Sequence, residues 1–153
     1  MDIAAFLSAI TNFSNALRLI EELIHRNTGT KRKLLLEMEE NLSTIELYSV
    51  SGAPIDKVIN SLKTERLKEV MDSNFDFNNI KKSKVTANET DGVPFYAPYI
   101  GFSTEDLFKK VYLKISELQR VVEIDTDNPN IRKSVRLINI FKLIKLILVH
   151  INS

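Results

Sequence analysis

The chain reads as an all-α protein, a mainly antiparallel bundle of four or five helices that forms a single domain over 1–153 and carries one long aromatic-rich loop. Three observations predict this. Only 4 glycines and 4 prolines occur among 153 residues, too little turn chemistry for a β protein, whose hairpins need a turn signal roughly every 8–12 residues. Apolar residues recur three and four apart through most of the chain, which is the period of a helix with one buried face. Turn formers concentrate between residues 73 and 102.

In the first segment Ile3, Ile10, Leu17 and Ile24 share a heptad position, and Phe6, Phe13 and Ile20 hold the position three places on. That helix should end near Asn27-Thr28-Gly29, where glycine tolerates the left-handed conformation that closes a helix. A second helix is predicted from about Thr30 to Ser49, with Leu35, Met38, Leu42 and Ile45 on its seam. Gly52 and Pro54 interrupt it, as either a turn or a kink. Pro54 suits a first helical turn, and Ile55, Val58, Ile59, Leu62, Val70 and Met71 give the next helix its face to about Asp72.

Residues 73–102 lose this period and gather asparagine, proline and glycine. They also carry Phe75, Phe77, Phe95, Tyr96, Tyr99 and Phe102, too many aromatics for a solvated linker, so packing on the bundle is expected. Asp91-Gly92 suits the turn of a short hairpin. Ser103 and Asp106 form the Ser-x-x-acid signature of a capping box, which starts a helix running to about Ile124 with Phe108, Val111, Ile115, Leu118 and Val122 inward. Asn128 followed by Pro129 then predicts an N-cap and a first helical position, with the last helix reaching His150.

Lys+Arg 21 against Asp+Glu 20 leaves a formal charge of +1, so any basic function must be local. Without cysteine there is no disulfide, thiol nucleophile or thiolate zinc site, and two histidines do not make a histidine-rich centre. No metal and no cofactor is expected. Asp2 stands where a secretory leader would be basic, and no apolar run reaches about 18 uncharged residues. A cytoplasmic protein is the expectation.

Three constellations carry functional readings. Glu22 and His25 have the Glu-x-x-His spacing of carboxylate-bundle metal sites, in a single copy. The C-terminal helix is basic and apolar over most of its circumference, with Arg132, Arg136, Asn139 and His150 on one narrow face. A central buried helix is its first reading, an oligomer or partner interface the second, and a membrane-surface helix the third. Arg18 and His25 are separated by six residues, a spacing that resembles the Arg-x(4–6)-His signature of the HEPN ribonuclease family, which is also all-helical. The resemblance covers eight residues. It implies that Arg18 would stabilise phosphate charge while His25 transfers a proton.

The preferred expectation is a non-enzymatic interaction or regulatory module that binds a protein partner or itself as a homo-oligomer. Its contacts are placed at Phe95, Tyr96, Tyr99, Ile140, Phe141 and Ile144, in the aromatic loop and the over-apolar last helix. The alternative is a HEPN-like RNA-acting ribonuclease or nucleic-acid binder using Arg18 and His25, and the third class is a bundle acting at a membrane surface.

Overall fold

The computed structural model describes residues 13–125 and 127–153. Among them are seven α-helices and no strand: α1 Phe13–Arg26, α2 Gly29–Ser51, α3 Ile55–Ser61, α4 Glu65–Asp72, α5 Ala87–Thr90, α6 Thr104–Ile124 and α7 Lys133–Asn152. Short 3-10 turns occupy Phe77–Asn79, Pro94–Tyr99 and Pro129–Ile131. The count exceeds the expected four or five because α3, α4 and α5 have only 7, 8 and 4 residues. The bundle itself rests on the four long helices. The predicted start of the first helix, with Ile3, Phe6 and Ile10, lies outside the described residues.

The seams are buried as their spacing requires. Phe13, Ile20 and Ile24 of α1 are buried and Leu17 is half-buried against them, while Leu35, Met38, Leu42 and Ile45 of α2 and all five predicted residues of α6 are buried. α1 turns back onto α2 through Asn27 and Thr28, and Gly29 takes a φ of 62° at the junction. The interruption at 52–54 is a turn: Gly52 adopts a φ of 67°, and the next amide, of Ala53, donates to the Leu47 carbonyl at 3.3 Å. A left-handed glycine there satisfies carbonyls that a helix end otherwise leaves free.

A second break, at residues 62–64, divides what the apolar spacing predicts as one helix to Asp72. Three side chains from other elements satisfy its exposed backbone. Asn41, fully buried in α2, donates to the Lys63 carbonyl at 2.9 Å and accepts from the Lys63 amide at 2.7 Å. Glu37, one helical turn earlier, accepts from the amides of Arg66 and Leu67 at 2.8 and 2.9 Å. Gln119 of α6 donates to the carbonyls of Ile59 and Leu62. Both helix ends that the break creates therefore have partners supplied at a distance in sequence. Burial raises the Glu37 carboxyl above its ordinary range, against the opposing pull of its two amide donors.

The segment from 73 to 102 folds onto the bundle as expected, without the hairpin. Asp91 and Gly92 are both left-handed, with φ of 49° and 68°, and close α5. A capping box of Thr86 and Glu89 opens that helix. The segment is closed by backbone bonds from Val85 to the Phe102 carbonyl (2.9 Å) and from Gly101 to the Val85 carbonyl (2.8 Å).

The predicted capping box at Ser103 is present: the Ser103 hydroxyl accepts from the Asp106 amide at 3.1 Å, and the Asp106 carboxylate accepts from the Ser103 amide at 3.2 Å. Asn128 and Pro129 start a 3-10 turn in place of the last helix. Arg132 then turns left-handed, with a φ of 56°, and α7 begins only at Lys133. α7 is the central element and packs against α1, α2, α3, α5 and α6. Its apolar circumference is spent inside this chain, where 11 of its 20 residues are buried, which is the first of the three readings of that helix.

Candidate functional site

Arg18, Glu22 and His25 are all solvent-exposed on α1. Arg18 and His25 lie two turns apart on one face, as their spacing dictates. No cluster of three or more metal-ligating side chains occurs among the described residues.

The aromatic and α7 residues expected to form a contact surface are placed differently. Tyr96, Tyr99, Ile140, Phe141 and Ile144 are all buried in the core, and Phe95 is half-buried. Phe141 stacks on Phe13 with ring centroids 4.2 Å apart. Tyr96 donates its hydroxyl to the Lys142 carbonyl at 2.9 Å, and Lys142 lies over the Phe95 ring at 5.1 Å. Burial pushes the Tyr96 phenol up to about 12. The loop aromatics thus cover α7, and the residues expected as contacts are packed within this chain, where burying their rings against the last helix removes apolar surface from water.

At the end of α7 lies a polar network, buried at His150 and Thr104. His150 of α7 has no exposed surface; its Nδ1 is 3.0 Å from Glu89 Oε2 and its Nε2 is 3.1 Å from Thr104 Oγ1. Glu89 also accepts from the Ser153 hydroxyl at 2.7 Å and the Thr86 amide at 3.1 Å. Burial pushes the Glu89 carboxyl upward, but the Ser153, His150 and Thr86 donors outweigh it and hold the group below its usual value. The order carboxylate, imidazole, hydroxyl has the outline of a nucleophile relay. Thr104, however, gives its proton to the Lys81 carbonyl at 2.9 Å and is 2% exposed. The network ties the end of α7 to α5 and to the start of α6. Sequence reasoning missed it, although the Thr86-x-x-Glu89 spacing is itself a capping-box signal.

Among the clefts that border α6, two are also lined by a second helix. One, of about 710 Å³, lies against the break at 62–64 and is lined by Asp56, Asn60, Leu62, Thr64, Glu65, Gln119, Val122 and Glu123. Its Asp56 pairs with Lys133 of α7 at 2.7 Å. The other, of about 310 Å³, lies between α6 and α7 and is lined by Lys114, Glu117, Arg136 and Asn139. Lys110 and Arg120 belong to the same outer side of α6, with Leu113 between them 48% exposed. Burial, followed by repulsion from Lys110 and Arg136, lowers the Lys114 ammonium below its ordinary value against the opposing attraction of Glu117. Among the described residues, Lys110, Lys114, Arg120 and Arg136 have no ion pair.

Of these residues the sequence reading singled out Arg136 and Asn139, together with Arg132, which is exposed, and His150, which is buried. It passed over Lys110, Leu113, Lys114 and Arg120, whose only signal is their position off the α6 seam. No family model matches the chain, and no curated protein or solved structure matches it either. No helix among the described residues is long and apolar enough to cross a membrane.

Proposed function

We propose that the protein is a non-enzymatic interaction module, and that its contact face is the outer side of α6 with Arg136 and Asn139 of α7, recognising an acidic partner protein. One observation carries this reading: Lys110, Lys114 and Arg120, which have no ion pair among the described residues, lie with Glu117 beside an exposed leucine, Leu113, and Arg136 continues the patch across the adjoining cleft. An apolar anchor within a charged rim is the arrangement of a docking patch, in which the charges steer and select while the buried apolar group supplies affinity. The cations repel one another, with Glu117 offsetting part of that, until a complementary surface arrives.

The test is affinity purification from native cells with wild type and a Lys110→Glu/Lys114→Glu double variant, whose thermal unfolding is first shown to match wild type. Salt-sensitive capture of a stoichiometric protein by wild type, lost in the double variant, supports the reading. Equal capture by both moves the contact face elsewhere.

A second reading, RNA cleavage by the HEPN-like pair, is favoured by the exposure of both Arg18 and His25 on one face of α1. Loss of an RNA-cleaving activity in His25→Ala would establish it; unchanged behaviour removes it.

A further inference from the structure

We infer that the cleft between α6 and α7 is a binding site for a phosphomonoester dianion, carried as a phosphorylated side chain by the protein partner. This rests on the docking face proposed above and deepens it.

The argument starts from charge. Lys114 and Arg136 line the cleft with Glu117, and Lys110 stands one helical turn before Lys114. Within the lining two cations face one carboxylate, and Lys110, near enough to repel Lys114, adds a further positive charge beside the cleft. A carboxylate or a phosphodiester brings one negative charge, whereas a phosphomonoester brings close to two at neutral pH. The site is also equipped with donors. An ammonium, a planar guanidinium and the Asn139 amide converge from two helices, and none has a side-chain hydrogen bond or ion pair among the described residues. Three phosphoryl oxygens need several donors at once, and guanidinium suits them through paired N–H groups. The two helices are held rigidly by the α6–α7 core, where Val111, Ile115, Leu118, Ile140 and Ile144 are all buried, so the donors are placed before the anion arrives.

The state of Lys114 fits this. Its ammonium is disfavoured by burial and by its cationic neighbours, a cost that a bound dianion reverses. Glu117 works against an anion at the cleft edge and sets a charge selection: a weak, singly charged ligand does not overcome it.

The experiment uses the full chain and inorganic phosphate, followed by NMR of lysine and arginine side chains against sodium chloride at matched ionic strength. Saturable shifts at Lys114 and Arg136 are expected, with a dissociation constant on the order of 1 mM, strengthening from pH 6 to pH 8 as phosphate becomes dianionic. Arg136→Gln and Lys114→Gln, each checked for unchanged thermal unfolding, are expected to weaken binding at least tenfold. Shifts that chloride reproduces, or that survive in both variants, overturn the inference. An unphosphorylated single-stranded oligonucleotide that binds the cleft as tightly as phosphate also overturns it, in favour of nucleic acid. If phosphate fails while the Lys110→Glu/Lys114→Glu variant still loses its partner, the docking face stands and the phosphate site alone falls.

Discussion

Replacing Asn41 by alanine tests whether a distant side chain holds the break between α3 and α4 in place. The side chain is fully buried and makes two hydrogen bonds, at 2.9 and 2.7 Å, to the carbonyl and amide of Lys63. Each is worth about 0.5–1.5 kcal/mol net, and stranding a buried partner adds about 1–3 kcal/mol. Lys63 is itself exposed, so water recovers part of that second cost. The expected loss is about 2–4 kcal/mol, which for a chain of this size lowers Tm by roughly 5–12 °C. Urea and thermal unfolding give the global number, and hydrogen exchange at the Lys63 amide gives the local one, with protection expected to fall in the variant. Asn41→Asp is the informative companion. It keeps the acceptor for the Lys63 amide, but turns a lone pair toward the Lys63 carbonyl and adds a buried charge one turn from Glu37. It should be less stable than Asn41→Ala at neutral pH and recover as the pH falls. An alanine variant within about 0.5 kcal/mol of wild type, with Lys63 exchange unchanged, would show that the break is held by other contacts.

Further outcomes follow from the same structure. Phe141→Ala should cost about 3–5 kcal/mol, because the ring is 2% exposed and stacks on Phe13. Calorimetry showing a normal Tm with lost association would instead restore Phe141 to a surface role. Glu89 has a depressed folded pKa, with burial raising it and the Ser153, His150 and Thr86 donors together prevailing. Its stabilisation is therefore present above the ordinary carboxylate range and lost as pH falls through the lower folded value. Glu89→Gln should lose about 1–3 kcal/mol at neutral pH and flatten the acid limb of a stability–pH curve. For Tyr96, pushed up to about 12 by burial, the sign is opposite: an unfolded tyrosine ionises at ~10, so stability falls as pH rises beyond that point. Tyr96→Phe should cost about 0.5–1.5 kcal/mol and remove that alkaline loss, as alkaline denaturation followed by circular dichroism would report.

The helices were legible because their signals are local. Heptad spacing identified the buried faces of α1, α2 and α6, and the capping box at Ser103 located the start of α6 within a residue. These patterns require only that a helix hide one stripe, and neighbours three and four apart in sequence state which stripe that is. The high apolar content of α7 was equally plain, but its meaning was not. An over-apolar helix reads the same whether a second copy, a membrane or its own chain covers it. Here α1, α2, α3, α5, α6 and the loop aromatics do so, which took Ile140, Phe141 and Ile144 from the candidate surface into the core.

What escaped sequence reading depends on contacts between residues far apart in the chain. The break at 62–64 is held by Glu37, Asn41 and Gln119, and the clasp at the end of α7 by Glu89, Thr104 and His150. The cationic cleft exists only because α6 and α7 lie side by side and bring Lys114 to Arg136 and Asn139. Periodicity along one helix specifies which side chains must be buried. Which polar groups meet across helices is set by the packing of those faces against each other, and a hydrogen bond or a charge cluster spanning tens of residues leaves no spacing to read.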